Sequence, residues 1–297
     1  MVLHRRIFSK VRGDRETMEC SRFVRSISLP YSSELAVQIF LQRLKSRTPL
    51  SDEETMAILQ LPGRQVSAGG DRDLVALGET VDHACLIVSG LVGRFGQVRD
   101  GRRQITAFCV PGYMANLHSV VFPGTAASLQ ALSPTTVIKF PHRELRAVAQ
   151  RFPAVADAFW RECAVDSSVL SQWIVNLGRK SAAGRVAHLL AELGLRMEEA
   201  GLGTHVSYPL NVTQIHLGDA LGLTNVHVNR VMRELREKGV IVVDRKRIEI
   251  LDWNRLVAIG EFDPDYLHIN TKFWAMPDRD AIRSKAIYGV EARASAA

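Results

Sequence analysis

The chain has 297 residues, 46% of them apolar and 23% charged, which is enough for two domains with separate cores and ordinary for a globular protein. Lysine and arginine number 38 against 31 aspartate and glutamate, a net charge of +7 that favours an anionic partner, nucleic acid being the commonest. Cys20, Cys85, Cys109 and Cys163 are scattered with no CxxC pair, so no zinc ribbon or clustered iron–sulfur ligand set is visible.

No apolar run approaches the ~20 residues a membrane helix needs, and the basic start MVLHRRIFSKVRGDRE lacks an apolar core with a cleavage site. A reduced cytoplasm is the expected compartment, with no membrane partner. Residues 1–33 are rich in Arg and Ser without periodicity and read as a mobile basic arm. Helical spacing begins at Glu34, and Ser51-Asp52-Glu53-Glu54 has the form of a capped second start.

Between Arg64 and Pro141 short β-rich runs alternate with Gly78, Gly90, Gly93, Gly96, Gly101 and Gly112. Cys85–Val88, Gln104–Phe108 and Thr136–Phe140 read as strands, and Asp100-Gly101 is a hairpin signal. Such a series predicts a barrel or sandwich.

A short helix follows from His142 to Phe152, and Pro153 ends it. From residue 154 to about 178, Val155, Phe159, Cys163, Asp166, Leu170, Trp173 and Leu177 recur at spacings of three and four. That stripe predicts helix–helix dimerisation, with packing on the helix's own domain as the alternative. Asn176 to Ser181 breaks the stripe, and a hinge is expected at Gly178.

Residues 179–262 carry the densest signal. Thr213 caps a short helix, Gly222-Leu223 makes a turn, and Thr224 caps a longer helix on which Val228, Val231, Met232 and Leu235 form one buried stripe. The opposite face holds Val226, Arg230 and Arg233, flanked by His227 and Asn229, a set suited to a DNA major groove. Val240–Val243 and Arg247–Leu251 read as a two-stranded wing around Asp244-Arg245-Lys246, whose basic turn can reach phosphates. Residues 263–297 read as a tail without periodicity.

Taken in this order, the chain resembles the Crp/Fnr superfamily of bacterial transcription regulators over roughly residues 35–260. The resemblance rests on Gly78-Glu79, Leu86–Val92, Asp100–Gln104 and Val110-Pro111-Gly112-Tyr113. In the second half it rests on Leu221–Thr224, Val228-Asn229-Arg230 and Leu235–Ile241. It implies an α+β chain: a cyclic-nucleotide-binding-type β-roll over 34–153, jelly-roll-like in form, a dimerisation helix over 154–178, and a winged helix-turn-helix over 179–262. It further implies a homodimer on a near-palindromic double-stranded site, with the recognition helix at about 224–238, and RNA polymerase as a partner. By the family motif Arg230 reads guanine, Asn225 and Asn229 reach adenine or phosphate, and Val226 meets a thymine methyl. His227 bonds a base or phosphate, Thr224 caps the helix and touches the backbone, and Arg233 contacts phosphate.

Two departures qualify the resemblance. Asn116 and Thr125 stand where cyclic-nucleotide-binding members carry a Glu for the ribose and an Arg for the phosphate, so a charge-assisted contact worth about 1.5–3 kcal/mol is lost. Only Cys20 lies near the end where the iron–sulfur branch places its cysteines. Leu117-His118-Ser119 resembles a ligand-orphan branch instead. No cofactor or metal is expected, an unidentified small-molecule effector stays open, and no catalytic constellation is visible. The alternative reading is a cyclic-nucleotide or metabolite sensor whose helix-turn-helix serves as a protein-interaction module.

Overall fold

The computed structural model describes residues 32–124 and 127–269. Thr125, Cys20, residues 1–31 of the arm and most of the tail lie outside the described residues, and the last two arm positions, Ser32 and Ser33, instead cap and open the first helix.

Helices α1 (Ser33–Lys45) and α2 (Asp52–Leu59) open the fold. Ser32 and Ser51 cap them, and Ser51 forms a reciprocal box with Glu54 that satisfies two otherwise orphaned backbone donors. Strands β1 (Arg64–Ala68), β2 (Arg72–Val75), β3 (His83–Ser89), β4 (Val92–Gln97), β5 (Arg103–Cys109), β6 (Ser128–Ala131) and β7 (Thr135–Pro141) follow. They form one sheet in the order β1-β7-β3 and another in the order β2-β6-β4-β5, antiparallel throughout. Alternating side chains from both sheets, among them Val75, Ile87, Val92, Ala107, Leu129 and Val137, fill one core. The β4–β5 turn forms at Asp100-Gly101 as expected: Gly101 takes φ +88°, open to glycine without a Cβ penalty, and its N–H donates to the Val98 carbonyl at 3.0 Å.

Helix α3 (His142–Arg151) leads into the 27-residue α4 (Pro153–Arg179), which begins with proline at its first position. The expected stripe along α4 divides lengthwise. Val155, Phe159 and Trp173 are buried within the chain, Trp173 edge-on to Phe108 of β5. Asp166 pairs with Arg94 of β4. These four therefore do not form a seam for another helix. The outward face is instead Trp160, Leu170, Ile174 and Val175, 76%, 37%, 63% and 48% exposed. Cys163 and Leu177 lie half-buried along its margin. Spacing alone could not separate two apolar faces on one long helix.

The expected break also shifts. Gly178 lies inside α4, and the chain leaves the helix at Lys180, which is extended with φ −87° and ψ 149°. Ser181 then caps α5 (Ala182–Glu199). After β8 (Ser207–Pro209) come α6 (Gln214–Leu221), α7 (Asn225–Glu237), β9 (Ile241–Asp244), β10 (Arg247–Ile250) and α8 (Trp253–Gly260), with β8 joining the wing in the order β8-β10-β9. The stretch expected to start a featureless tail at residue 263 differs too: Pro264–Leu267 forms a 3-10 turn whose Leu267 is 3% exposed in the core.

Candidate nucleic-acid interface

Local chemistry shapes the helix-turn-helix. The Thr213 hydroxyl accepts from the His216 N–H at 3.2 Å, and His216 Nδ1 accepts from the Thr213 N–H at 3.3 Å. His216 thus stands in for the acidic residue usual in such a box. At the other end of α6, Gly222 is left-handed at φ +61°, and the Leu223 N–H folds back to the Gly218 carbonyl at 3.1 Å. A Cβ on Gly218 would stand 2.7 Å from the Leu223 carbonyl oxygen, so the tight turn requires glycine there. Thr224 then caps α7, its hydroxyl accepting from the His227 N–H at 3.3 Å.

Val228, Val231, Met232 and Leu235 are buried as the spacing predicts. Thr224, Asn225, Val226, His227, Asn229, Arg230 and Arg233 are all exposed, and they share the N-terminal half and outer side of α7. Val226 is 77% exposed, a position for an aliphatic side chain that burial within this chain does not account for. Arg230 approaches Glu234 only to 3.9 Å, with both side chains solvated, so its guanidinium is available. The Thr224 hydroxyl is engaged in the cap. In the wing, Asp244 pairs with Arg247, leaving Arg245 (φ +51°) and Lys246 exposed at the tip.

Two features of this reading head have no linear signature. The β4–β5 hairpin holds α6: Gln104 Nε2 donates to the Ala220 carbonyl at 3.0 Å, and Arg103 lies 3.4 Å from Asp219. On the other side His216 Nε2 stands 3.4 Å from Asp71, which precedes β2. The partners lie more than 100 positions apart in sequence.

The β-roll holds a second set of committed polar groups. Asn116 is 2% exposed and spent internally. Its Oδ1 accepts from the Cys85 N–H at 2.7 Å, and its Nδ2 donates to the His83 carbonyl and the Ser119 hydroxyl, each at 3.1 Å. A cleft of about 200 Å³ lies between the β-roll and α4, lined by Arg94, Tyr113, His118, Cys163, Asp166 and Leu170 among others. Its cation is committed: Arg94 donates to both Asp166 oxygens at 2.6 and 2.8 Å, and the Tyr113 hydroxyl donates to the same carboxylate. Burial raises the Asp166 pKa, but the Arg94 charge and these hydrogen bonds outweigh it and hold the carboxyl below its ordinary range. Among the described residues no group of His, Cys, Asp and Glu could hold a metal ion, and no helix is long and apolar enough to cross a membrane.

A capped recognition helix with a free polar face, a basic wing and a β-roll joined by a long helix together define a DNA-binding transcription regulator. The comparisons agree: residues 69–152 match the cyclic nucleotide-binding domain and residues 184–259 the Crp-like helix-turn-helix domain. The chain belongs to the Crp/Fnr family. It is 26% identical over 211 residues to the transcriptional activator protein Anr of Pseudomonas protegens, covering 71% of this chain and 85% of that protein. The nitrogen fixation regulation protein FixK of Rhizobium meliloti is 28% identical over 206 residues, 68% of this chain and 86% of FixK. Among solved structures, FixK2 from Bradyrhizobium japonicum superposes with a TM-score of 0.59 at 26% identity, covering 67% of this chain and 98% of FixK2.

Proposed function

We propose that the chain acts as a homodimer on a near-palindromic DNA site, α7 entering the major groove with Thr224 through Arg230 against base edges and phosphates. The observation that carries this reading is the free outer face of α7, where an aliphatic side chain and a solvated guanidinium, only loosely paired with Glu234, stand exposed beside a capped helix N-terminus. Arg230 suits guanine O6 and N7, Val226 a thymine methyl, and Asn225, Asn229 and His227 flanking bases or phosphates. Thr224 sets the helix end that favours a phosphate, and Arg233 and Lys246 add phosphate contacts. The outward face of α4 supplies the dimer seam and places the two reading heads about one DNA turn apart. RNA polymerase is the proposed protein partner, the chain acting as a regulator and not as an enzyme.

Cyclic-nucleotide control is disfavoured because Asn116 is consumed by Cys85, His83 and Ser119 and Arg94 by Asp166, leaving no free guanidinium or ammonium among the described residues that line the cleft. An effector of different chemistry stays compatible with the cleft.

Selection of DNA from a random pool by the full chain tests the reading. A two-fold symmetric motif, weakened by Arg230→Ala, is expected. Enrichment of no motif, with Arg230→Ala equal to wild type, overturns it.

A further inference from the structure

Beyond the covalent link at Lys180 and the grip of the β4–β5 hairpin on α6, the helix-turn-helix part is joined to the rest of the chain by the segment that follows α8. Glu261 and His268 take left-handed backbone at φ +43° and +48°, and between them the chain turns back along α4. Leu267 enters the same core as Val165 and Val169 of α4.

Polar contacts fasten this return at both ends. Arg47, in the turn that follows α1, donates to the Leu267 carbonyl at 3.3 Å and the His268 carbonyl at 3.2 Å, while its third nitrogen meets Glu162 of α4 at 2.6 Å. At the near end, Lys180 donates to the carbonyls of Gly260 at 2.7 Å and Glu261 at 3.1 Å. The Tyr266 hydroxyl donates to Glu192 of α5 at 2.8 Å and accepts from His188 at 2.9 Å. Rotation of the reading head about Lys180 therefore has to strip Leu267 from α4 and break the bonds from Arg47.

We propose that residues 261–269 form a strap that fixes the angle of the reading head to α4, with Arg47 and Tyr266 as positioning residues that set the half-site spacing the protein accepts. In a symmetric dimer each head is carried on its own α4, so an error in the head-to-helix angle is doubled in the distance between recognition helices. The strap, acting with the hairpin contacts to α6, removes that freedom. Neither residue touches DNA; both act through placement. The inference rests on the proposed dimer reading.

The test uses the full chain and a set of DNA duplexes carrying the selected half-site twice, with the spacing stepped one base pair at a time around ~10 bp. Wild type, Arg47→Gln, Tyr266→Phe and the double variant are compared by binding titration, with a duplex carrying a single half-site as reference. The double variant should lose about tenfold in discrimination between the best spacing and its neighbours, within the usual range of coupling between sites. Single-half-site affinity should stay unchanged. An unaltered spacing profile in the double variant overturns the strap. Tyr266→Phe keeps the ring and removes only the hydroxyl, so it decides the matter if circular dichroism shows that the Arg47 variants fail to fold. A wild-type protein indifferent to spacing instead removes the dimer reading, and the strap with it.

Discussion

Arg94 on β4 and Asp166 on α4 meet in a two-pronged ion pair at 2.6 and 2.8 Å, 72 positions apart in sequence, and thereby join the β-roll to the long helix. The pair lines the cleft of about 200 Å³ between the β-roll and α4, so the chain's own side chains connect the two.

Removing one partner leaves the other mostly buried and unpaired. Asp166→Asn should lower stability by about 2 kcal/mol, less than the loss usual for a fully buried pair because the carboxylate keeps some solvent contact. Arg94→Met with Asp166→Leu should recover most of that loss in urea unfolding. The Asp166 pKa is lowered in the fold, so its contribution is complete above the ordinary carboxylate range near pH ~4 and fades as pH falls through the lower folded value. A Asp166→Asn profile parallel to wild type down to low pH would count against the pairing.

Base reading by Arg230 should appear as a loss of about 1–3 kcal/mol in Arg230→Ala, with relaxed preference at one position of each half-site. Lys246→Ala should weaken all sequences alike and reduce the salt slope by about one. Titrations at several salt concentrations separate the two. Equal effects of both variants on specific and random DNA would show that α7 does not read bases.

Ile174 is 63% exposed on the outward face of α4. Ile174→Glu should yield a folded monomer by light scattering and lose the affinity gained from two half-sites, because like charges would face each other across a two-fold seam. Phe159→Glu, at a position buried within the chain, should unfold the protein instead. A dimer unaffected by Ile174→Glu would place the seam elsewhere.

His188 is buried against Phe262 and Tyr266, with the Lys180 ammonium donating to its Nδ1 at 2.8 Å. Burial first, and then the Lys180 charge, push its pKa down from 6.5 to about 3. The unfolded chain takes up a proton in that window and the folded chain does not, so stability falls as pH drops through it, by up to ~1.4 kcal/mol per pH unit from this group. Chemical unfolding between pH 6 and 4 should show a slope that His188→Gln flattens. An unchanged slope would mean that other groups carry it.

Gly218→Ala should cost about 1–3 kcal/mol, since the new methyl group meets the Leu223 carbonyl and not a movable side chain. Thermal unfolding measures the loss, and DNA affinity should fall as the turn opens. A variant as stable as wild type would show that the turn can relax.

Local signals were legible where the physics is local. Caps at Ser51, Thr213 and Thr224, the hairpin at Asp100-Gly101 and the α7 stripe each depend on neighbours within a few residues, so the linear pattern carried them. Arg230 and its companions were legible because a helix's exposed face follows from its buried one. The sequence by itself thus determined the order of the domains, three strands of the β-roll, the helix-turn-helix and the composition of the reading face, whereas β1, β2, β4 and β6 emerged only in the structure. Only the tertiary structure decided which face of α4 is free and which packs inward, because both are apolar at helical spacing. It alone decided that Arg94 is spent on Asp166, that the β4–β5 hairpin grips α6, and that residues 261–269 return to Arg47 and α4. Those contacts join residues tens to hundreds of positions apart, and nothing in a local pattern records which distant groups burial will bring together.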